Sequence, residues 1–149
     1  MFWRALTAFL ALPGVVAILV PALIAGSAQR AGARFHAPGL IPLLVGLALL
    51  LWCVRDFYVA GRGTLAPWSP PRNLVVTGLY RYSRNPMYLA VTLMLVGWAL
   101  CFLSRTLVIY TGFVMLAFHL RVVFGEEPWL ERTHGAAWRD YRARVRRWL

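Results

Sequence analysis

The polar residues best suited to chemistry are concentrated at residues 77–88, between a basic irregular stretch and a long apolar run. Arg84 is a permanent cation, and Tyr80, Asn85 and Tyr88 carry hydrogen-bonding groups. Together these side chains could hold a polar or anionic ligand. The alternative is that Arg84 only contacts phospholipid at the end of a membrane helix, where arginines are common.

A second polar block contains His119, Glu126 and Glu127. His119 and Glu126 are separated by about 700° of helical rotation, so they are predicted to share a face. Glu127 precedes Pro128, where helical geometry is disfavoured, and that break could turn its carboxylate into a cavity. The alternative without a functional role is that His119 is a hydrogen-bonded interior residue and that both glutamates are solvated charges of the tail.

Composition limits the kind of protein that positions these two blocks. The chain has 149 residues, 60% of them hydrophobic, with a mean hydropathy of +0.63, which is too apolar for an ordinary soluble domain. All 16 basic residues are arginines, against five acids, giving a net charge of +11. Because the arginines flank apolar runs and crowd the last 29 residues, membrane lipid is favoured over nucleic acid as the partner.

The apolar runs predict an all-α polytopic fold, a single membrane domain over residues 1–149, with a C-terminal amphipathic helix. The N-terminal run is interpreted as a retained membrane helix, since its uncharged stretch is too long for a signal peptide. Asn85 is a good N-cap and Pro86 suits the first helical position, so a helix is predicted to start there. About four transmembrane helices follow from the pattern, at residues 5–27, 39–59, 86–103 and 106–127.

The last two membrane helices are joined by a tight turn at Ser104 and Arg105, so they should pack as an antiparallel hairpin. That hairpin would bring the two polar blocks together at one end. A four-helix topology places 13 arginines on that side and three on the other, so both termini and the site are expected to face the cytoplasm.

Three further features have structural interpretations. Residues 61–72, rich in glycine and proline, form either a linker or a stiff wall beside the site. Cys53 and Cys101 lack neighbours at metal-ligand spacing and are interpreted as small buried hydrophobes, so no metal is expected. The spacing of Trp138, Tyr141 and Trp148, together with Val145, indicates one face of a helix lying on the membrane or capping the bundle.

Two stretches resemble the isoprenylcysteine carboxyl methyltransferase and phospholipid methyltransferase family of integral membrane enzymes. They are LVVTGLYRYSRNPMYLA at residues 74–90 and GEEPWLERTHGAAWRDYRARV at residues 125–145. The resemblance implies S-adenosylmethionine as cofactor, bound between the last helices and the C-terminal segment 128–149. It also implies a lipophilic small-molecule or lipid-linked acceptor that enters from the bilayer. The arginine counts predict that the site faces the cytoplasm from a bacterial inner membrane.

The resemblance, combined with the chemistry of the cofactor, assigns roles to individual residues. A site for S-adenosylmethionine needs carboxylates and hydrogen-bonding groups within an apolar enclosure. Arg84 would hold an anionic acceptor, and Glu126 and Glu127 would hold the cofactor's ammonium or ribose. The expected catalytic residues are Arg84 and Glu127, and the expected cofactor-binding residues are Tyr80, Asn85, Pro86, Tyr88, His119, Glu126, Glu127 and Leu130.

Several functions remain open at this point. Carboxyl O-methylation of an isoprenylcysteine-type substrate is the first hypothesis. Phospholipid N-methylation is the nearest rival, because Asn85 stands where the prenylcysteine enzymes usually have histidine. A membrane oxidoreductase of the sterol reductase kind and a non-enzymatic scaffold that binds anionic lipid are the more distant alternatives.

Overall fold

The computed structural model describes residues 10–60 and 73–149. The start of the first predicted helix and the glycine- and proline-rich residues 61–72 lie outside the described residues. A π-helical segment, Leu10–Leu19, leads into α1 (Val20–Arg30). Pro13 lies inside the π segment, whose wider turns accommodate the missing backbone donor. A 3₁₀ turn at Ala37–Gly39 then leads into α2 (Leu40–Val59).

The next helix, α3 (Pro86–Phe102), begins where the sequence predicts. A 3₁₀ turn at Gly78–Arg81 precedes it. Gly78 has a φ of +58°, and a Cβ at this position would collide with the Asp56 carboxylate. Glycine is therefore required there both by the backbone conformation and by the space available.

The tight turn after α3 is confirmed. Leu103 adopts a left-handed conformation with φ 44°, and Ser104 then caps α4 (Arg105–Arg121) by accepting a hydrogen bond from the Leu107 amide at 3.4 Å. The chain continues without a break through a π segment, Val122–Glu126, into α5 (Glu127–His134). The predicted end at residue 127 is thus too early, because Pro128 falls in the first turn of α5, where its missing N–H costs little.

The fold is the expected all-α membrane protein, since every regular element in the described residues is helical. Three helical stretches are long and apolar enough to cross a membrane: Pro13–Arg30, Ala37–Phe57 and Arg105–His134. At 17 residues α3 is shorter, about 25 Å long, yet it is the most buried helix. It contacts α1, α2 and α4, and so forms the centre of the bundle.

Small residues set the distance between α2 and α3. A Cβ added to Gly97 would lie 2.6 Å from the Leu43 Cβ, and one added to Gly46 would lie 2.7 Å from the Ala90 carbonyl oxygen. The two backbones are therefore almost in contact. Such close approach is how helices gain packing energy inside a membrane, where no hydrophobic effect drives them together.

The C-terminal amphipathic helix is shorter than its sequence pattern suggests. Gly135, with φ 50°, separates α5 from α6 (Ala136–Arg144), and Val145 is already extended. Trp138 and Tyr141 are buried as the pattern predicts, but Trp148 lies beyond the helix. The last residues leave the helix because their carbonyl groups pair with the segment that precedes α3, as described below.

Candidate functional site

The two polar blocks meet at the end of the α3–α4 hairpin, around one cavity. Its walls come from the end of α2, the segment before α3, the first turn of α3, the end of the π segment Val122–Glu126, and the helices α5 and α6. The lining residues are Phe57, Asn73, Leu74, Val75, Tyr80, Arg84, Asn85, Met87, Tyr88, Glu126, Leu130, His134, Trp138 and Tyr141. The predicted hairpin therefore does bring residues from both blocks together.

Asn85 occupies the N-cap position of α3, but its side chain does not cap the helix. Instead the Asn85 Nδ2 donates a hydrogen bond of 2.9 Å to the carbonyl of Arg147, and the Ser83 hydroxyl donates to the same carbonyl at 3.3 Å. The Arg84 amide donates to the Arg146 carbonyl at 2.9 Å. The first block is thus anchored to the end of the chain.

Arg84 is a buried cation in contact with the cavity. Its side chain is 9% exposed, and its Nη1 lies 3.0 Å from Glu127 Oε1. Its guanidinium carbon lies 5.5 Å from the centre of the Trp138 ring, within range of a cation–π interaction. Burial lowers the pKa of Arg84, and the negative charge of Glu127 opposes that shift. The guanidinium group stays charged, since its normal pKa is far above neutrality.

Glu127 is shared between two arginines. Besides Arg84, it accepts two hydrogen bonds from Arg147, from Nε at 2.9 Å and from Nη2 at 2.8 Å. This two-point contact raises the pKa of Arg147. Glu127 is buried and does not line the cavity, so its carboxylate is directed at arginines of the protein itself.

Glu126, the neighbouring residue, has a different environment. Its carboxylate lines the cavity, accepts a hydrogen bond from the Tyr88 hydroxyl, and pairs with Arg121 Nε at 2.9 Å. Tyr88 also packs against Phe118, with ring centres 4.5 Å apart. Glu126 is one-third exposed, compared with 10% for Glu127. Of the paired glutamates, Glu126 is therefore the one accessible to a ligand.

Besides Glu127, two of the predicted cofactor-binding residues, His119 and Pro86, do not line the cavity. His119 is exposed on α4 and packs against Trp148, with ring centres 6.1 Å apart. The seven-residue spacing to Glu126 does not give a shared face because the intervening π segment has wider turns than an α-helix. Pro86 is buried in the first turn of α3, where it starts the helix and contributes no polar group.

Aromatic residues that were not among the predicted site residues complete the cavity wall. Trp138 and Tyr141 are both buried, and the Tyr141 hydroxyl donates a hydrogen bond of 2.7 Å to the Tyr80 carbonyl. Burial raises the pKa of Tyr141 to about 12 and that of Tyr80 well above its usual value, so both phenols stay protonated. Their helical spacing was visible in the sequence, but it indicated only an apolar face.

Four polar atoms of cavity-lining residues are buried and have no hydrogen-bond partner in the described part of the chain. They are Arg84 Nε, Arg84 Nη1, His134 Nε2 and Trp138 Nε1, and of these the Arg84 Nη1 is ion-paired with Glu127. Unpaired buried polar atoms are costly, which favours a ligand that supplies the missing partners. The guanidinium and indole N–H groups are obligate donors, so they suit oxygen acceptors such as carboxylate, phosphate or ribose hydroxyl. The acidic Glu126 suits an ammonium group.

Comparison with known proteins gives one informative similarity. The sequence pattern of the family described as phospholipid methyltransferase matches residues 35–137. The match begins before α2 and ends within α6, so it includes both polar blocks and all the cavity-lining residues except Trp138 and Tyr141. No curated protein and no solved structure shows a significant match.

Proposed function

The chain belongs to the phospholipid methyltransferase family, and from that membership we propose that it is a methyltransferase that uses S-adenosylmethionine to methylate a lipophilic acceptor at the membrane surface. The observation that carries the proposal is the overlap between the family match and the cavity. That cavity combines an apolar and aromatic wall with unpaired donors and one accessible carboxylate.

The residues present fit the proposed cofactor. S-adenosylmethionine carries an ammonium, a carboxylate and ribose hydroxyls, and when bound it supplies an electrophilic methyl group. Glu126 would take the ammonium or a ribose hydroxyl, while Tyr80, Tyr88 and Leu130 would enclose the adenosyl part. Methyl transfer needs alignment and exclusion of water more than a strong base. The buried aromatic wall serves both needs.

Arg84 would hold the acceptor through its unpaired Nε. A carboxylate acceptor would itself be the anion held there and would give a methyl ester. A phospholipid would instead place its phosphate on Arg84, with its amine as the acceptor. The family description and Asn85 favour the second substrate, while isoprenylcysteine-type carboxyl methylation remains the first hypothesis from the motif resemblance.

Glu127 has a positioning role in this scheme. Its contacts to Arg84 and Arg147 fix the guanidinium group of Arg84 beside the cavity. His119 and Pro86 do not line the cavity, so the proposal gives the cofactor contacts to the lining residues. We place the cavity on the cytoplasmic side, where the count of flanking arginines puts the polar blocks and the tail.

The cofactor is tested by calorimetric titration of S-adenosylmethionine into the detergent-purified protein. Binding in the micromolar range is expected, weakened at least ten-fold by Glu126→Gln. Glu131→Gln is the matched control, since Glu131 is a solvent-exposed glutamate of the same segment that does not line the cavity. Absence of binding in folded protein at millimolar cofactor contradicts the proposal and favours the reductase-like or scaffold alternatives.

The acceptor is identified with radiolabelled S-adenosylmethionine and defined lipids. A prenylcysteine analogue would give a methyl ester, which releases its label in base. Phosphatidylethanolamine would give a methylated amine, which keeps its label in base. The product that forms therefore decides between O-methylation and N-methylation.

A further inference from the structure

The end of the chain contacts the site through both its backbone and one side chain. Residues 145–149, defined here as the C-terminal strap, follow α6 without regular secondary structure. The carbonyls of Arg146 and Arg147 accept three hydrogen bonds from Ser83, Arg84 and Asn85. The strap lies beyond the residues matched by the family, so family membership alone assigns it no role.

Arg147 differs from the other arginines of the tail. Its guanidinium group makes a two-point contact with the buried Glu127, and its own side chain is 33% exposed. Arg142 pairs with Glu131 at 3.7 Å with both side chains about half exposed. Arg144 contacts only the Asp140 carbonyl of its own helix, at 3.2 Å, within the described residues.

We propose that Arg147 is a positioning residue of the site, which fixes Arg84 and Asn85 beside the cavity through Glu127 and through its own carbonyl. The side chain of Arg147 holds the carboxylate that faces Arg84. The carbonyl of the same residue holds the amide group of Asn85. One residue at the end of the chain therefore orients two cavity-lining residues.

The charge balance within this cluster determines which arginine keeps an unpaired donor. Arg84 and Arg147 carry two positive charges against the single negative charge of Glu127. Because Arg147 contacts both oxygens of Glu127, the Nε of the cavity-lining Arg84 has no hydrogen-bond partner in the described residues. Without Arg147, the carboxylate is free to turn fully onto Arg84. The donor that the cavity offers to a ligand would then be withdrawn.

The test compares Arg147→Ala, Arg147→Lys and Arg144→Ala in the full chain. The calorimetric part, which rests on the proposed function, measures S-adenosylmethionine affinity. We expect Arg147→Ala to weaken binding at least ten-fold in protein whose melting curve shows that the bundle is still folded, since the variant changes the environment of Arg84 and Asn85. Arg147→Lys should recover only part of the affinity, because a lysine cannot form the two-point contact. Arg144→Ala should match wild type.

Limited trypsin digestion gives a second readout that does not depend on the cofactor. Cleavage after Arg144 and Arg146, followed by intact mass, reports whether the strap is docked. The wild type should resist cleavage at both sites, and Arg144→Ala should resist it at Arg146, the site that remains in that variant. Arg147→Ala should be cut at least several-fold faster than the wild type. If the wild type binds no cofactor, this readout still decides the role of Arg147. Wild-type protection and wild-type affinity in Arg147→Ala would overturn the proposal.

If Arg147→Ala does not fold, Glu127→Gln and Arg147→Lys replace it in the same two measurements. Both keep a polar side chain at the contact. Arg147→Lys keeps the positive charge and removes the two-point geometry, whereas Glu127→Gln removes the negative charge that Arg84 and Arg147 share. Faster cleavage with weaker binding in both variants supports the proposal. Unchanged cleavage in both variants overturns it.

Discussion

The α2–α3 pair and the contact between the C-terminal strap and the start of α3 are held by different forces. The helix pair is held by close packing of small and apolar residues, with Gly46 and Gly97 setting the backbone distance. The strap contact is held by directional hydrogen bonds and by the Arg84–Glu127–Arg147 cluster. The first region should therefore be sensitive to volume and the second to charge and geometry.

The largest effect is expected where a buried charge loses its partner. Glu127→Gln leaves Arg84 and Arg147 facing each other without a counter-charge, and loss of one member of a buried pair costs about 3–5 kcal/mol. The free energy of unfolding, measured by SDS titration in mixed micelles, should fall by this amount. Glu131→Gln should change it little, since Glu131 is exposed. An equal loss of stability in Glu127→Gln and Glu131→Gln would show that the strap contact does not depend on the buried charge pair.

The helix pair should respond to added volume. Gly97→Val places a side chain against Leu43, and overpacking of a close contact costs about 1–3 kcal/mol. Gly112→Val is the matched control, because no atom lies within 4 Å of a Cβ at that position on α4. The same SDS titration measures both. A loss of stability in Gly112→Val equal to that in Gly97→Val would show that helix propensity, and not close packing, accounts for the effect.

A single neutral hydrogen bond should matter less. Tyr141→Phe removes the donor to the Tyr80 carbonyl, and the net contribution of such a bond is about 1 kcal/mol. The melting temperature in detergent should fall slightly. Tyr82→Phe, at an exposed tyrosine, should leave it unchanged. No difference between the two variants would mean that aromatic packing alone holds α6 against the cavity.

The smallest effect is expected for the exposed ion pair between Arg142 and Glu131. Its atoms are 3.7 Å apart and both side chains are about half exposed, so its contribution is below about 1 kcal/mol. Arg142→Ala should therefore be nearly neutral in the same titration. A loss comparable to that of Glu127→Gln would show that overall tail charge, and not the individual contact, stabilises this region.

Much of the scaffold follows from local rules. The start of α3 at Pro86, the turn at Ser104 and the apolar helices depend on capping, proline geometry and hydropathy, which nearby residues determine. The sequence also predicts that the two polar blocks meet, because an antiparallel hairpin places the start of its first helix beside the end of its second. The family resemblance, read from the same residues, is confirmed by the match over residues 35–137.

The division of roles within the site required the tertiary structure. Sequence pairs Glu126 with Glu127, but the π segment and Pro128 place one carboxylate at the cavity and the other against two arginines. The same segment directs His119 away from the cavity, which an ideal helical count could not anticipate. Similarly, no local signal distinguishes Arg147 from its neighbours.

The sequence by itself determined the membrane fold, the helix starts and the residues of the two polar blocks, because hydropathy, capping and turn formation act over a few residues. Only the tertiary structure decided which charges pair, because a salt bridge over 20 or more residues depends on the path of the whole intervening chain. The cavity that Tyr141 and Trp138 form with the start of α3 was likewise decided only by the tertiary structure. Its walls come from segments that meet only after the bundle has assembled.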